Sequence, residues 1–231
     1  MPMDTERAAA RDLDLAPTLS ALAELVEERL TDRPTLVGIA GPVAVGKSTI
    51  VQALRAELAR RGHGVQVLST DAFLLANGLL EARGLTMRKG FPESYDAAAI
   101  DAALSTLRAG GTAHIPVYSH AVYDVVPGAS DTVAAADVIL VEGLVALQPP
   151  AADHLDLALY VDAPEEVVRG WFMERLARLT AAAAADDRSF YRPFADLSPD
   201  IAASPGTTTT LSGNLPLPVA GRSFFSVRVV P

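Results

Sequence analysis

The stretch Gly41-Pro-Val-Ala-Val-Gly-Lys-Ser-Thr49 fits the pattern G-x-x-x-x-G-K-[ST], in which a glycine-rich turn binds nucleotide phosphates. A short apolar run at residues 35–40 precedes it, and residues 50–61 after it have the apolar periodicity of a helix. Between a strand and a helix, such a turn points backbone N–H groups and the positive end of the helix at one anion. The sequence therefore predicts a phosphate-binding loop, and the rest of the chain is interpreted around it.

The loop predicts two specific contacts besides those of its backbone. The Lys47 ammonium is expected to reach the β- and γ-phosphates of ATP, and the Ser48 hydroxyl is expected to ligate Mg²⁺. A glycine-rich turn that binds no ligand is the open alternative. The residues predicted to bind the nucleotide are Gly41, Val43, Ala44, Val45, Gly46, Lys47, Ser48 and Thr49.

Composition limits the class of protein. The 231 residues suit one domain, and 50% of them are hydrophobic, which is enough for a sizeable core. A formal net charge of −9 argues against nonspecific nucleic-acid binding, and the absence of cysteine excludes disulfides and thiolate chemistry. Neither a secretory leader nor a membrane span is evident in the sequence, so we expect a cytoplasmic protein without membrane or nucleic-acid partners.

Strand and helix patterns alternate along the chain. This alternation after a phosphate loop predicts an α/β fold of the P-loop NTPase type, with a parallel sheet flanked by helices. We expect a flexible N-terminus at 1–15, a kinase-like domain at 16–197 and a divergent or shortened C-terminal segment at 198–231, and we interpret residues 125–131 as a turn. Helices are predicted at 16–30, 50–61, 97–108 and 165–185, and strands at 35–40, 65–70, 136–141, 155–161 and, at one edge, 222–230.

Three carboxylates follow predicted strands, at the edge where parallel sheets bind ligands. Asp71 is placed to accept a proton from an attacking hydroxyl, and Glu142 to hold Mg²⁺ directly or through water. Asp71 could instead be a helix cap, Glu142 a structural acceptor, and Asp162 is better interpreted as a cap. Arg175, on the helix at 165–185, could neutralise charge on the γ-phosphate, although a solvated arginine is the simpler interpretation.

Several segments beyond the loop resemble type I (bacterial) pantothenate kinases, within the phosphoribulokinase and uridine kinase group. The most specific are Arg88-Lys-Gly-Phe-Pro-Glu-Ser-Tyr-Asp96 and Pro116-Val-Tyr-Ser-His-Ala-Val-Tyr-Asp124. Leu68-Ser-Thr-Asp-Ala-Phe73, Val138-Ile-Leu-Val-Glu-Gly-Leu144 and Tyr160-Val-Asp-Ala-Pro164 match as well. The resemblance extends from about residue 35 to about residue 197.

The resemblance implies ATP-dependent phosphorylation of pantothenate, the first step toward coenzyme A. It implies Asp71 as catalytic base, Lys47 and Arg175 as further catalytic groups, and Ser48 and Glu142 at Mg²⁺. It also implies a homodimer and feedback inhibition by coenzyme A. The residues that it places at the substrate are Asp71, Tyr118, His120, Phe172 and Asn214.

The chain departs from the family at positions expected to contact the substrate, and not at those expected to bind the phosphates. Phe172 lacks the tyrosine hydroxyl expected to hydrogen-bond pantothenate, Leu176 replaces an aromatic residue, and Val145 stands where asparagine is usual. After residue 197 the family pattern is lost, so Asn214 is matched only by its local context. Two alternatives therefore remain open: a kinase for another hydroxylated metabolite such as a nucleoside or sugar, and a nucleotide- or coenzyme-A-binding regulator with impaired catalysis.

Overall fold

The computed structural model describes residues 15–183 and 226–230. The part of the chain that it describes contains five α-helices and seven strands. The helices are α1 (Leu15–Glu27), α2 (Lys47–Arg60), α3 (Asn77–Ala82), α4 (Ala97–Arg108) and α5 (Glu165–Ala183). The strands are β1 (Thr35–Ala40), β2 (Val65–Ser69), β3 (Thr112–Ser119), β4 (Asp124–Ala134), β5 (Val138–Glu142), β6 (Leu157–Asp162) and β7 (Ser226–Val230).

Five of these strands form one sheet, in the order β2-β5-β1-β6-β7. The first four are parallel, and β7 pairs antiparallel with β6 at the edge. Each face of the sheet is covered by its own apolar cluster. Because alternate residues of a strand point to opposite faces, Leu36 packs with the cluster that contains α4, and Val37 packs with the cluster that contains α1 and α2. The predicted α/β class with a parallel sheet is confirmed.

Two segments differ from the predictions. The turn predicted at 125–131 is wrong, because these residues lie in β4, which forms an antiparallel hairpin with β3. The segment contains Pro127, Gly128, Ser130 and Asp131, whose turn propensity suggests a break, but an edge ribbon tolerates such residues. The hairpin buries only one face: Ala113, Ile115 and Val133 lie against the α4 side of the sheet.

The long connection between β2 and α4 contains α3 and three short 3₁₀ turns, whereas its weak apolar periodicity over 72–96 predicts no regular element. The predicted edge strand at 222–230 is confirmed over Ser226–Val230. Among the described residues, no helix is both long enough and apolar enough to cross a membrane. The predicted segments 1–15 and 198–231 lie almost entirely outside the described residues, so the domain boundaries stay predictions.

Candidate active site

The phosphate-binding loop lies at the carboxyl end of β1, where the sequence placed it. Gly41 approaches the backbone of β6 so closely that a Cβ atom would lie 2.3 Å from the carbonyl oxygen of Val161. Only glycine fits this contact, because a backbone atom cannot move aside as a flexible side chain can. Ala44 and Gly46 both have positive φ angles, of 65° and 95°, which turn the chain into α2 at Lys47.

The side chain of Lys47 folds back over the loop. Its Nζ atom donates hydrogen bonds to the carbonyl oxygens of Gly41 and Pro42, both at 2.9 Å. Burial lowers the pKa of Lys47, an effect that the nearby carboxylates of Glu142 and Asp71 oppose. The ammonium is therefore held at the mouth of the loop with acidic neighbours that favour its charged form.

Strand register aligns the acidic residues with the loop. Glu142 ends β5 and is the register partner of both Ile39 in β1 and Ser69 in β2. After β5 the chain turns at Gly143, where a Cβ atom would lie 1.8 Å from Thr70 Oγ1, so the strand end can pack directly against the turn that carries Asp71. Glu142 and Asp71 thus lie at one edge of the sheet because neighbouring parallel strands end in register.

Glu142 is a half-buried carboxylate with opposing influences on its charge. Burial raises the pKa of Glu142, and the like charge of Asp71 acts in the same direction. A hydrogen bond from Ser69 and electrostatic attraction to Lys47 and His120 lower it. Because nearby cations influence the ionisation of this carboxyl group, it is suited to a site that binds and releases a cation or a phosphate.

Asp71 is not the helix cap that was one interpretation of it. It lies in the 3₁₀ turn Thr70–Phe73, and Ser69 caps that turn by accepting a hydrogen bond from the Asp71 backbone N–H at 3.4 Å. The Asp71 side chain is 29% exposed, and its Oδ2 atom lies 4.0 Å from Nε2 of His120. The carboxylate is therefore accessible and lies next to a histidine from the β3–β4 hairpin.

Aromatic residues of the hairpin and Lys89 of the preceding connection form a wall of the site beside Asp71. The ring of Tyr118 packs edge-on against His120, with centroids 5.2 Å apart, and against Tyr123 at 6.2 Å. Lys89 Nζ lies 4.4 Å from the centre of the Tyr123 ring and donates to the Tyr123 carbonyl oxygen at 2.6 Å and to Asn77 Oδ1 at 2.5 Å. This polar and aromatic wall could contact a small hydroxylated molecule presented to Asp71.

Helix α5 contributes one arginine to the site. The Arg175 guanidinium is near enough to Lys47 to lower the pKa of that lysine further. Arg178, another arginine of this helix, is exposed. Phe172 is 42% exposed. Asn214 lies outside the described residues.

The structure therefore brings Lys47, Asp71, Glu142, His120 and Arg175 together. Asp162 accepts a hydrogen bond from the N–H of Ala163 at 3.0 Å, in line with a local backbone role. Lys89 and Tyr95 also lie near Asp71, but the sequence predicts no role at the site for either. Both belong to the run Lys-Gly-Phe-Pro-Glu-Ser-Tyr-Asp, whose specific pattern could have indicated a functional segment.

The site contains oxygen donors of the kind that Mg²⁺ prefers. The Ser48 hydroxyl is exposed at the start of α2, and Glu142 supplies a carboxylate. No group of three or more acidic, histidine or cysteine side chains that could hold a metal by themselves occurs within the described ranges. Mg²⁺ is commonly held by one or two protein oxygens together with substrate phosphates, and Ser48 and Glu142 could supply such oxygens.

Comparison with known proteins identifies a family. Residues 36–181 match the model of the phosphoribulokinase / uridine kinase family. The chain is 42% identical over 190 residues to a pantothenate kinase from Streptomyces avermitilis and 37% identical over 180 residues to one from Streptococcus mutans. These matches cover 76% and 74% of this chain but only 58% and 59% of the two relatives, so the chain spans less than two thirds of their length.

Solved structures share the fold. A proposed fructose transport system kinase from Silicibacter sp. TM1040 superposes with a TM-score of 0.63 at 28% identity, covering 74% of this chain and 90% of that protein. A D-glycerate 3-kinase from Cryptococcus neoformans superposes with a TM-score of 0.58 at 15% identity, covering 77% and 84%, which supports the fold alone.

Proposed function

Because this chain belongs to the phosphoribulokinase / uridine kinase family, we propose that it is an ATP-dependent kinase that phosphorylates the primary hydroxyl of pantothenate. The observation that carries the proposal is the convergence of Lys47, Asp71 and Glu142 at one sheet edge, with His120 Nε2 4.0 Å from Asp71. The relatives named pantothenate kinase support the choice of acceptor. The product would be 4′-phosphopantothenate, which makes the reaction the first step of coenzyme A biosynthesis.

In the proposed reaction, Asp71 orients the acceptor hydroxyl and accepts its proton. The acceptor oxygen forms a bond to the γ-phosphorus of ATP, and the bond from that phosphorus to the β–γ bridging oxygen breaks, releasing ADP. Lys47 and Arg175 offset the negative charge on the transferred group. Ser48 and Glu142 would hold Mg²⁺, which would supply further charge neutralisation when bound.

The hairpin wall is proposed to hold the acceptor. Tyr118 and His120 face the same side of the site as Asp71 and would contact pantothenate through their polar atoms. Phe172 would add an apolar contact from α5, and Asn214 stays a sequence-based prediction. Homodimer formation and feedback inhibition by coenzyme A are further proposals, carried by the family resemblance alone.

A second candidate is a kinase for a sugar or a nucleoside. Phe172 favours it, because this exposed ring lacks the hydroxyl expected to hydrogen-bond pantothenate. The structural likeness to the proposed fructose transport system kinase favours it as well. A site that lacks one donor leaves a polar group of its ligand unpaired, which costs about 1–3 kcal/mol and can redirect specificity.

An acceptor panel separates these candidates. The 231-residue chain is incubated with ATP and Mg²⁺ plus pantothenate, uridine, fructose or glycerate, and ADP release and product mass are measured. We expect a kcat/KM for pantothenate that exceeds the others by about 100-fold or more. Preference for uridine or a sugar would establish the second candidate. ATP binding without transfer to any acceptor would indicate the regulator that the sequence left open.

A further inference from the structure

The segment that contains Tyr95 is attached directly to the turn that carries Asp71. Leu74 and Tyr95 form an antiparallel bridge, flanked by hydrogen bonds from Leu75 N–H to Ser94 O (2.9 Å) and from Asp96 N–H to Phe73 O (2.8 Å). The fully buried Ser94 stabilises the approach, because its hydroxyl donates to Phe91 O and accepts from Gly90 N–H. The backbone of Tyr95 is thus fixed relative to the segment that follows Asp71.

The Tyr95 side chain is buried, and its hydroxyl lacks a well-formed hydrogen bond. The residue is 6% exposed and packs in the same apolar cluster as Phe73 and Leu74. Its Oη atom is shielded from solvent and makes no hydrogen bond of full length and angle in the part of the chain that the structure describes, although it lies near enough to Asp71 for that carboxylate to influence it. A buried hydroxyl without a well-formed hydrogen bond is costly for folding, and a partner that completes the bond in another state of the site would offset this cost.

The Asp71 carboxylate is the natural partner for this hydroxyl. Burial raises the pKa of Tyr95, and the negative charge of the nearby Asp71 raises it further, with smaller effects from Tyr123, from hydrogen bonding to Asp71 and from Glu142. The phenol therefore stays protonated at neutral pH. A protonated phenol facing a carboxylate can only act as its hydrogen-bond donor, because an ionised carboxylate has no proton to give.

We propose that Tyr95 is a positioning residue for the transfer reaction, and that its hydroxyl donates a hydrogen bond to the Asp71 carboxylate when an acceptor is bound. This bond would fix one carboxylate oxygen and leave the other to receive the acceptor proton. The inference rests on the proposed function, because it assigns Asp71 the role of base. The proposal also explains the pairing of residues 94–96 with residues 73–75, because this pairing fixes the Tyr95 backbone near the turn that carries Asp71.

The kinetic test uses Tyr95→Phe, which keeps the ring and removes only the hydroxyl. We expect kcat to fall about tenfold, the loss typical of one hydrogen bond to a charged group, while KM for ATP and for the acceptor stays within about twofold. The melting temperature should not fall, because the removed hydroxyl has no well-formed hydrogen bond to lose. A kcat within twofold of the unmodified chain overturns the proposal.

A matched control deletes another buried hydroxyl. Thr35 lies at the opposite end of the sheet, is 1% exposed, and its Oγ1 atom donates to Arg29 O at 3.2 Å. Thr35→Val should lower the melting temperature and leave kcat unchanged, which is the reverse of the result expected for Tyr95→Phe. If the two variants behave alike, the Tyr95 hydroxyl has only a structural role.

A second measurement does not depend on the acceptor. The chain has five tyrosines, so ¹³C labelling at tyrosine Cζ gives few signals, and Tyr95→Phe identifies the one from Tyr95. The Asp71 charge acts on the Tyr95 phenol even without an acceptor, so in Asp71→Asn we expect this signal to move more than those of the other four tyrosines. An unmoved signal overturns the proposal. If the unmodified chain transfers phosphate to no acceptor, the proposed function fails, and this measurement alone decides the role of Tyr95.

Discussion

The surroundings of Glu142 disfavour the ionised form of its side chain. Burial and the charge of Asp71 raise the pKa of Glu142, so the folded chain binds its proton more tightly than the unfolded chain does. The stability cost of the charged form is therefore absent at low pH and grows as the pH rises through the folded-state pKa. A residue that costs stability at neutral pH is better explained by function than by folding.

Replacing Glu142 with glutamine should show this cost. Glu142→Gln keeps the shape and removes the charge, so we expect its melting temperature to exceed that of the unmodified chain at pH 8, with a smaller difference at pH 4.5. Phosphoryl transfer should fall, because the metal loses a carboxylate ligand. Melting curves at the two pH values test the first part. An equal or lower melting temperature at pH 8 would contradict the electrostatic argument.

At the scale of elements, the β3–β4 hairpin is what sequence reasoning missed. Turn-forming residues at 127–131 predicted a break, whereas the strand continues because its partner β3 lies beside it. Pairing between strands is decided by tertiary contact, which local propensity does not report. The hairpin nonetheless carries Tyr118 and His120, which were predicted at the substrate from the family resemblance.

Lys89 anchors the tip of this hairpin to α3. Its ammonium donates to Asn77 Oδ1 and to the carbonyl oxygen of Tyr123, a residue with a φ of 54°. Lys89→Met should lower the free energy of unfolding by about 1–3 kcal/mol, because both acceptors lose a charged donor. Urea denaturation measures the change. The exposed Arg83 on the same connection is the control, and a loss no larger in Lys89→Met than in Arg83→Met would refute the anchor.

At the scale of the whole molecule, a hydrogen-bond network centred on Arg108 stabilises the end of the sheet opposite the site. Arg108, at the end of α4, donates to Asp156 Oδ2 at 2.6 Å, to Pro34 O at 2.9 Å and to His154 O. Asp156 in turn accepts from the N–H of Leu36 at 2.9 Å. This network joins α4, the start of β1 and the start of β6.

Removing this arginine should destabilise the fold without changing the chemistry. Arg108→Met leaves the mostly buried Asp156 without its main partner, so we expect a loss of about 2–4 kcal/mol in the free energy of unfolding. Arg33 contacts the same carboxylate at 3.5 Å but is 60% exposed, and Arg33→Met should cost less than about 0.5 kcal/mol. Activity per folded molecule should be unchanged in both. Equal losses would rule out the network as described.

The sequence predicts some residues of the site and misses others. The phosphate loop, Asp71 and Glu142 were predictable, because a strand followed by a polar residue places that residue at a known edge of a parallel sheet. The proximity of Lys89 and Tyr95 to the site was not, because it depends on how the connection at 72–96 folds back on β2. The roles of Arg175 and Phe172 stay predictions, and Asn214 lies outside the described residues.

The central claim is that Asp71 is the base for phosphoryl transfer at this sheet edge. The most direct test is the single-turnover rate of transfer from ATP to pantothenate, compared between the unmodified chain and Asp71→Asn, with the dissociation constant for ATP measured on both. The account predicts a rate reduced by about 10²- to 10⁴-fold with ATP binding preserved, because only the proton acceptor is lost. A rate within tenfold of the unmodified chain would contradict it.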